Sequence, residues 1–95
     1  MKIVFAPEAV DDLAAAIEYL NQRDPRAAAA MADGVLRLID RLAAREFEGP
    51  ECELRRTRER ARSWPARPFR IYYRREGDSL IVLRIYHSSR RPISR

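Results

Sequence analysis

Cysteine, histidine and lysine are each present once, as Cys52, His87 and Lys2. A lone cysteine excludes a disulfide framework and a thiolate metal cluster. One histidine and one distant cysteine do not make a metal-ligand set. Long apolar runs are also missing. The longest stretch of large apolar residues, Leu80 to Leu83, is strand-sized, far short of the roughly 20 residues that span a bilayer. Nothing after Met1–Lys2 reads as a secretory leader, since Pro7 follows only four apolar or small residues. The chain has no glycine-rich phosphate loop, nucleophile elbow, paired catalytic carboxylates, internal repeat or low-complexity tract. These absences point to a protein with a reduced thiol, working in a bacterial-type cytoplasm without membrane, metal or cofactor.

Ninety-five residues suit one small domain, 1–95, with a single core. Charge is divided unevenly along it. Residues 1–54 carry eleven acidic and six basic side chains, whereas residues 55–95 carry thirteen arginines against Glu59, Glu76 and Asp78. A C-terminal half with a net charge of +10 fits an anionic partner, either nucleic acid or an acidic protein.

"MKIVFA" reads as a first strand. Pro7 suits a first helical position, and Glu8 favours the positive end of that helix. Val10, Leu13, Ala14, Ile17 and Leu20 then recur at helical spacing. "NQRDP" breaks the pattern, and Asp24 caps a second helix that starts with Pro25. Its apolar stripe is Ala28, Met31, Ala32, Val35, Leu38, Ile39 and Leu42. Gly34 costs about 1 kcal/mol there relative to alanine, a cost that a close approach of the first helix would justify. "EFEGP" ends this antiparallel helix hairpin. Glu51 to Arg60 is polar and irregular.

A short strand is expected at Ala61–Trp64, then Phe69 to Arg75, a turn at Glu76-Gly77-Asp78, and Leu80 to His87. The fold class is α+β in the order β-α-α-β-β-β, with the helix hairpin on a mostly antiparallel sheet. Period two predicts one face bearing Phe69, Ile71, Tyr73, Ile81, Leu83 and Ile85, turned to the helices. The opposite face carries Arg70, Tyr72, Arg74, Val82, Arg84 and Tyr86. A loop of three or five residues keeps these faces in register. A one-residue slip would set Arg74 beside Ile81 in the core.

The arginine–tyrosine face has two readings: a surface that holds phosphates and stacks bases, or an ordinary solvated sheet face. His87 follows the inward series and ends its strand. It is either a general acid or base, or, as suits a histidine with no carboxylate near it in sequence, a structural group at the sheet end. Arg55, Arg56, Arg58, Arg60 and Arg62 read as a solvated charge run, and Trp64 as a core or edge filler. Tyr19 lies off the main stripe, and Cys52 has no evident activator.

"APEAVDDLAAAIEYLNQRDPRAAAAMADGVLRLIDRL" resembles the helix hairpin of ParE-type toxins. "LRRTRERARSWPARPFRIYYRREGDSLIVLRIYHSSRRP" resembles their C-terminal sheet, with Arg62-Ser63-Trp64-Pro65, then Phe69-Arg70-Ile71-Tyr72-Tyr73-Arg74, then a strand ending in histidine and basic residues. The resemblance to the RelE/ParE superfamily covers nearly the whole chain. It implies a toxin of a type II toxin–antitoxin module that arrests growth, with a cognate antitoxin as partner. The antitoxin would carry acidic and apolar side chains and dock on the outer faces of the helices and a sheet edge. For ParE-like members the target is DNA gyrase, met by protein contact, with Arg84, Arg90 and Arg91 as target-binding candidates. For RelE-like members it is mRNA in the ribosomal A site, with Arg70 on the phosphate and Tyr86 and His87 as the other catalytic candidates. A non-toxic binding and autoregulatory partner is a third possibility. The RelE-like lysines are missing, which favours the ParE-like branch. Ala6 stands where the family usually has a Ser/Thr cap before Pro7.

Overall fold

Two proline-started helices and two proline-punctuated strands set the frame of the computed structural model, which describes residues 1–54 and 57–87. The elements run β1 (Lys2–Phe5), α1 (Pro7–Asn21), α2 (Pro25–Ala43), β2 (Glu51–Glu53), β3 (Arg60–Ala66), β4 (Phe69–Glu76) and β5 (Ser79–His87). The sheet order is β1-β5-β4-β3-β2. β1 is parallel to β5, and every other neighbouring pair is antiparallel.

Local signals explain most of the element starts. Asp24 Oδ1 accepts hydrogen bonds from the amides of Arg26 and Ala27, capping α2. Ala6 offers α1 no side-chain cap, so α1 begins on Pro7 alone. The α2 stripe is as expected, with Ala28, Val35, Ile39 and Leu42 buried. The α1 stripe is shifted. Ala9 is buried and Leu13 and Ala16 pack on the core, while Val10 is half exposed. Gly34 is exposed, and a Cβ there would meet nothing within 4 Å, so it serves no close helix approach.

Three features depart from the expected pattern. First, the polar stretch after Pro50 contains a strand, β2, whose residues Glu51, Cys52 and Glu53 pair with Arg62, Ala61 and Arg60. Second, β3 runs through Pro65 to Ala66. Pro65 is tolerated because β2 has already ended and that side of β3 carries no ladder there. Third, the β4–β5 register is neither of the two expected next to the turn, although beyond Tyr72 it is the one a five-residue loop would set, with Arg70 opposite Tyr86. A two-residue turn, Gly77–Asp78 with Gly77 at φ 57°, sets Glu76 opposite Ser79 and Arg74 opposite Ile81. The register then shifts between Tyr72 and Tyr73, leaving Leu83 as an extra residue on β5.

The two-residue turn exchanges the expected faces for Leu80 to Val82, and the bulge restores them from Arg84 onward. Leu80, Val82 and Ile85 join Phe69, Ile71 and Tyr73 against the helices, whereas Ile81 and Leu83 turn to the other side. The slip is tolerated because that other side has an apolar cluster of its own. Leu54, Ala61, Tyr72 and Leu83 are buried there, with Cys52, Ile81 and Tyr86 packed around them. Arg74, beside Ile81, pairs with Glu59. The outer face is therefore a second small core, not the open arginine–tyrosine surface expected.

One glycine is fixed by packing. A Cβ on Gly49 would lie 1.9 Å from the Ser63 carbonyl oxygen. That close approach starts β2 beside β3. It is secured by the Ser63 amide on the Pro50 carbonyl and by Arg62 Nη1 donating to the Gly49 carbonyl at 2.7 Å.

Candidate functional site

The end of β5 is where the sequence candidates gather. Phe69 pairs with His87, Arg70 with Tyr86 and Tyr72 with Arg84. Strand alternation then divides the candidates. His87 faces the helix side, its ring 5.3 Å from Phe69 in an edge-on contact. Arg70 and Tyr86 lie on the opposite face, beside the second apolar cluster. Arg70 Nη1 donates to the buried Ser63 hydroxyl at 3.0 Å. Tyr86 meets Tyr72 edge-on at 6.1 Å.

Arg84 is committed inward. Its Nε and Nη2 donate to Asp12 Oδ2 and Oδ1 at 2.8 and 2.9 Å. Asp12 Oδ2 also accepts the Ile85 amide at 2.9 Å. Both side chains are largely covered, with 20% of Arg84 and 14% of Asp12 exposed. Hydrogen bonding to Asp12 strengthens the hold of Arg84 on its proton, against the opposing effect of burial. The guanidinium also lies 4.3 Å from the centre of the Tyr86 ring. Nothing in the chain's pattern marks Asp12 for this role, because its partners lie 72 and 73 positions away. Arg90 and Arg91 lie outside the described residues, as do Arg55 and Arg56 of the basic run.

Beside this strand end runs an open groove of about 580 Å³. Asp11, Ala15, Ala16 and Tyr19 of α1 form one wall, and Phe69, Ile85, Tyr86 and His87 form much of the other. The groove exists because β1 stops at Phe5, opposite Val82, so α1 and not a strand lies beside the rest of β5. Tyr19 is 53% exposed on the rim, with the Arg23 guanidinium over its ring at 3.9 Å.

A second polar centre lies at the other end of the sheet. Glu48 Oε1 accepts from Arg75 Nη2 at 2.8 Å, from Arg75 Nε at 3.0 Å and from the Tyr73 hydroxyl at 3.2 Å. Arg75, through its hydrogen bonds, is the main cause that holds the Glu48 carboxyl below its ordinary value. Arg75 Nη2 also donates to the Leu42 carbonyl at 2.8 Å, closing the last turn of α2. Arg62 pairs with Glu48 and Glu51, and Arg60 with Glu51. Two arginines of the basic run, Arg60 and Arg62, thus tie β3 to neighbouring acids. Trp64 stacks on Phe47 at 4.4 Å and packs on the core, a filler as expected. Burial pushes the Cys52 thiol up, in a setting that does not favour the thiolate, although the charge of Arg70 works the other way.

Among the described residues no cluster of three or more His, Cys, Asp or Glu could hold a metal ion, and no helix is long and apolar enough to cross a membrane.

This is a small α+β domain, a helix hairpin on a five-stranded sheet with an arginine-rich C-terminal half. The family model described as ParE toxin of type II toxin-antitoxin system, parDE, matches residues 3–92, and the chain belongs to that family. Its fold is similar to a chain of a solved structure titled "Chromosomal ParDE TA system from P. aeruginosa", with a TM-score of 0.72 and 20% identity, over 92% of this chain and 95% of that one. No curated protein matches the chain.

Proposed function

We propose that this ParE-family toxin acts on DNA gyrase by protein contact and has no chemistry of its own. The observation that carries this reading is the division of the catalytic candidates. Tyr86 and His87 both line the groove beside α1, whereas Arg70 is turned to the outer sheet face and lines no wall of that groove. A phosphate-cleaving site needs its acid, base and charge stabiliser within reach of one scissile group. Arg70 points instead at Ser63, across the sheet from His87. The single lysine, Lys2, lies on β1 and lines no wall of the groove. Arg90 and Arg91 are the proposed contacts to the acidic surface of gyrase or to its bound DNA.

A cognate antitoxin is the second partner in this reading. Its docking area is the groove between α1 and the end of β5, with Tyr19 exposed on the rim. Acidic residues of the antitoxin would complement the arginine-rich half.

The test is inhibition of gyrase supercoiling by the purified chain, run beside an A-site mRNA cleavage assay. Lost supercoiling with intact mRNA is expected, and the Arg90→Glu/Arg91→Glu double variant should lose that inhibition while keeping its far-ultraviolet spectrum. Cleaved mRNA with normal supercoiling would refute the proposal and make Arg70, Tyr86 and His87 the residues to pursue.

A further inference from the structure

We propose that Asp12 is a positioning residue for target binding, and that Arg84 works through Asp12 and Tyr86 without touching the target. The inference rests on the toxin reading above.

Asp12 stands where a neighbouring strand would otherwise pair with β5. β1 ends opposite Val82, and three residues later the Ile85 amide donates to Asp12 Oδ2. A side-chain carboxylate thus takes the place of a strand carbonyl. The same oxygen accepts Arg84 Nε, and Oδ1 accepts Arg84 Nη2, so one carboxylate holds two successive residues. The anchor comes immediately after the register shift at Leu83. A bulge re-aims the strand that carries it, and a re-aimed strand end needs something to fix its direction.

The hold extends outward through Arg84. The guanidinium lies over Tyr86, and Tyr86 meets Tyr72 on β4. Residues 84–86 are thereby tied to α1 on one side and to the second apolar cluster on the other. The proposed contact residues Arg90 and Arg91 follow four and five positions after Tyr86. Arg84 itself is a poor anion contact. Its charge is neutralised by a bidentate carboxylate, and freeing it would leave Asp12 covered and unpaired.

The test uses the full chain with Asp12→Ala, Arg84→Ala and the double variant, each scored for gyrase inhibition and for growth arrest in cells without antitoxin. Ile39→Val, which removes one methyl group from a fully buried core position, is the control for general stability. The expected result is an increase of about tenfold in the half-inhibitory concentration for each single variant, corresponding to ~1.4 kcal/mol of lost interaction. The double variant should be no worse than either single one, and Ile39→Val should match wild type. If Arg84→Ala loses inhibition while Asp12→Ala keeps it, Arg84 is a direct contact and the proposal is overturned. It is equally overturned if Ile39→Val loses as much as Asp12→Ala at matched thermal stability. Should Asp12→Ala not fold, Asp12→Asn replaces it under the same scoring, since it keeps an oxygen for the Ile85 amide and removes the charge. A wild-type chain that leaves gyrase untouched yet arrests growth refutes the gyrase reading alone, and the variants are then scored by growth arrest. A wild-type chain that does neither overturns both.

Discussion

Replacing Tyr73 by phenylalanine removes a single oxygen atom from a side chain that is fully buried. That oxygen accepts the Gly49 amide at 2.9 Å and donates to Glu48 Oε1 at 3.2 Å. Glu48 keeps its contacts with Arg75 in the variant, so its loss is small. The Gly49 amide loses more. Gly49 is buried and pressed against the Ser63 carbonyl, with no room for the loop to turn its N–H elsewhere. A buried donor left unpaired costs about 1–3 kcal/mol. The ring and its packing remain, so no cavity term is added. The expected loss is ~2 kcal/mol, which for a domain of this size lowers the melting temperature by roughly 10 °C. Urea unfolding followed by tryptophan fluorescence would measure it, because Trp64 stacks on Phe47 in the same loop region. The midpoint should fall with the m-value unchanged. A loss below about 0.5 kcal/mol, the range of ordinary surface substitutions, would refute the view that this hydroxyl holds the loop.

Glu48 gives a pH prediction. Arg75 lowers its pKa from the ordinary 4.5, mainly by hydrogen bonding, so the folded state holds its proton less tightly than the unfolded chain. The stability this contributes is present above the unfolded value and lost as pH falls through the lower folded one. Glu48→Gln should therefore flatten the acid limb of a stability profile below about pH 4.5 and leave its shape near neutrality unchanged, as a urea titration at several pH values would show. Two glycines should respond with opposite sign in thermal melts. Gly49→Ala drives a Cβ into the Ser63 carbonyl and should cost ~3 kcal/mol. Gly34→Ala meets open space in an exposed helical position and should gain about 0.5–1 kcal/mol.

The elements and their order were legible wherever the signal is local. A cap such as Asp24, a proline at a first helical position, the stripe of α2 and the alternation of β4 all act within a few residues, and each is found where the pattern put it. β2 was not legible, because three residues at a sheet edge, two of them glutamates, carry no apolar signal. The faces of Leu80 to Leu83 on β5 could not be read either, although those of Ile85 and Tyr86 could. Leu80 to Leu83 offers apolar residues at both parities, so alternation alone cannot choose a face. The choice fell to the two-residue turn at Gly77–Asp78, the bulge at Leu83 and the second apolar cluster that accepts Ile81 and Leu83.

The same division runs through the candidate site. The sequence by itself determined which residues were available: an arginine-rich C-terminal half, one histidine at a strand end, and Arg70, Arg84 and Tyr86 on neighbouring strands. Tertiary structure decided what each one meets. It turned His87 to the helices and Arg70 to Ser63, and it set Asp12 against Arg84 across 72 positions. Hydrogen bonds and ion pairs depend on distances of about 3 Å, and only the packed chain sets such distances between residues far apart in sequence.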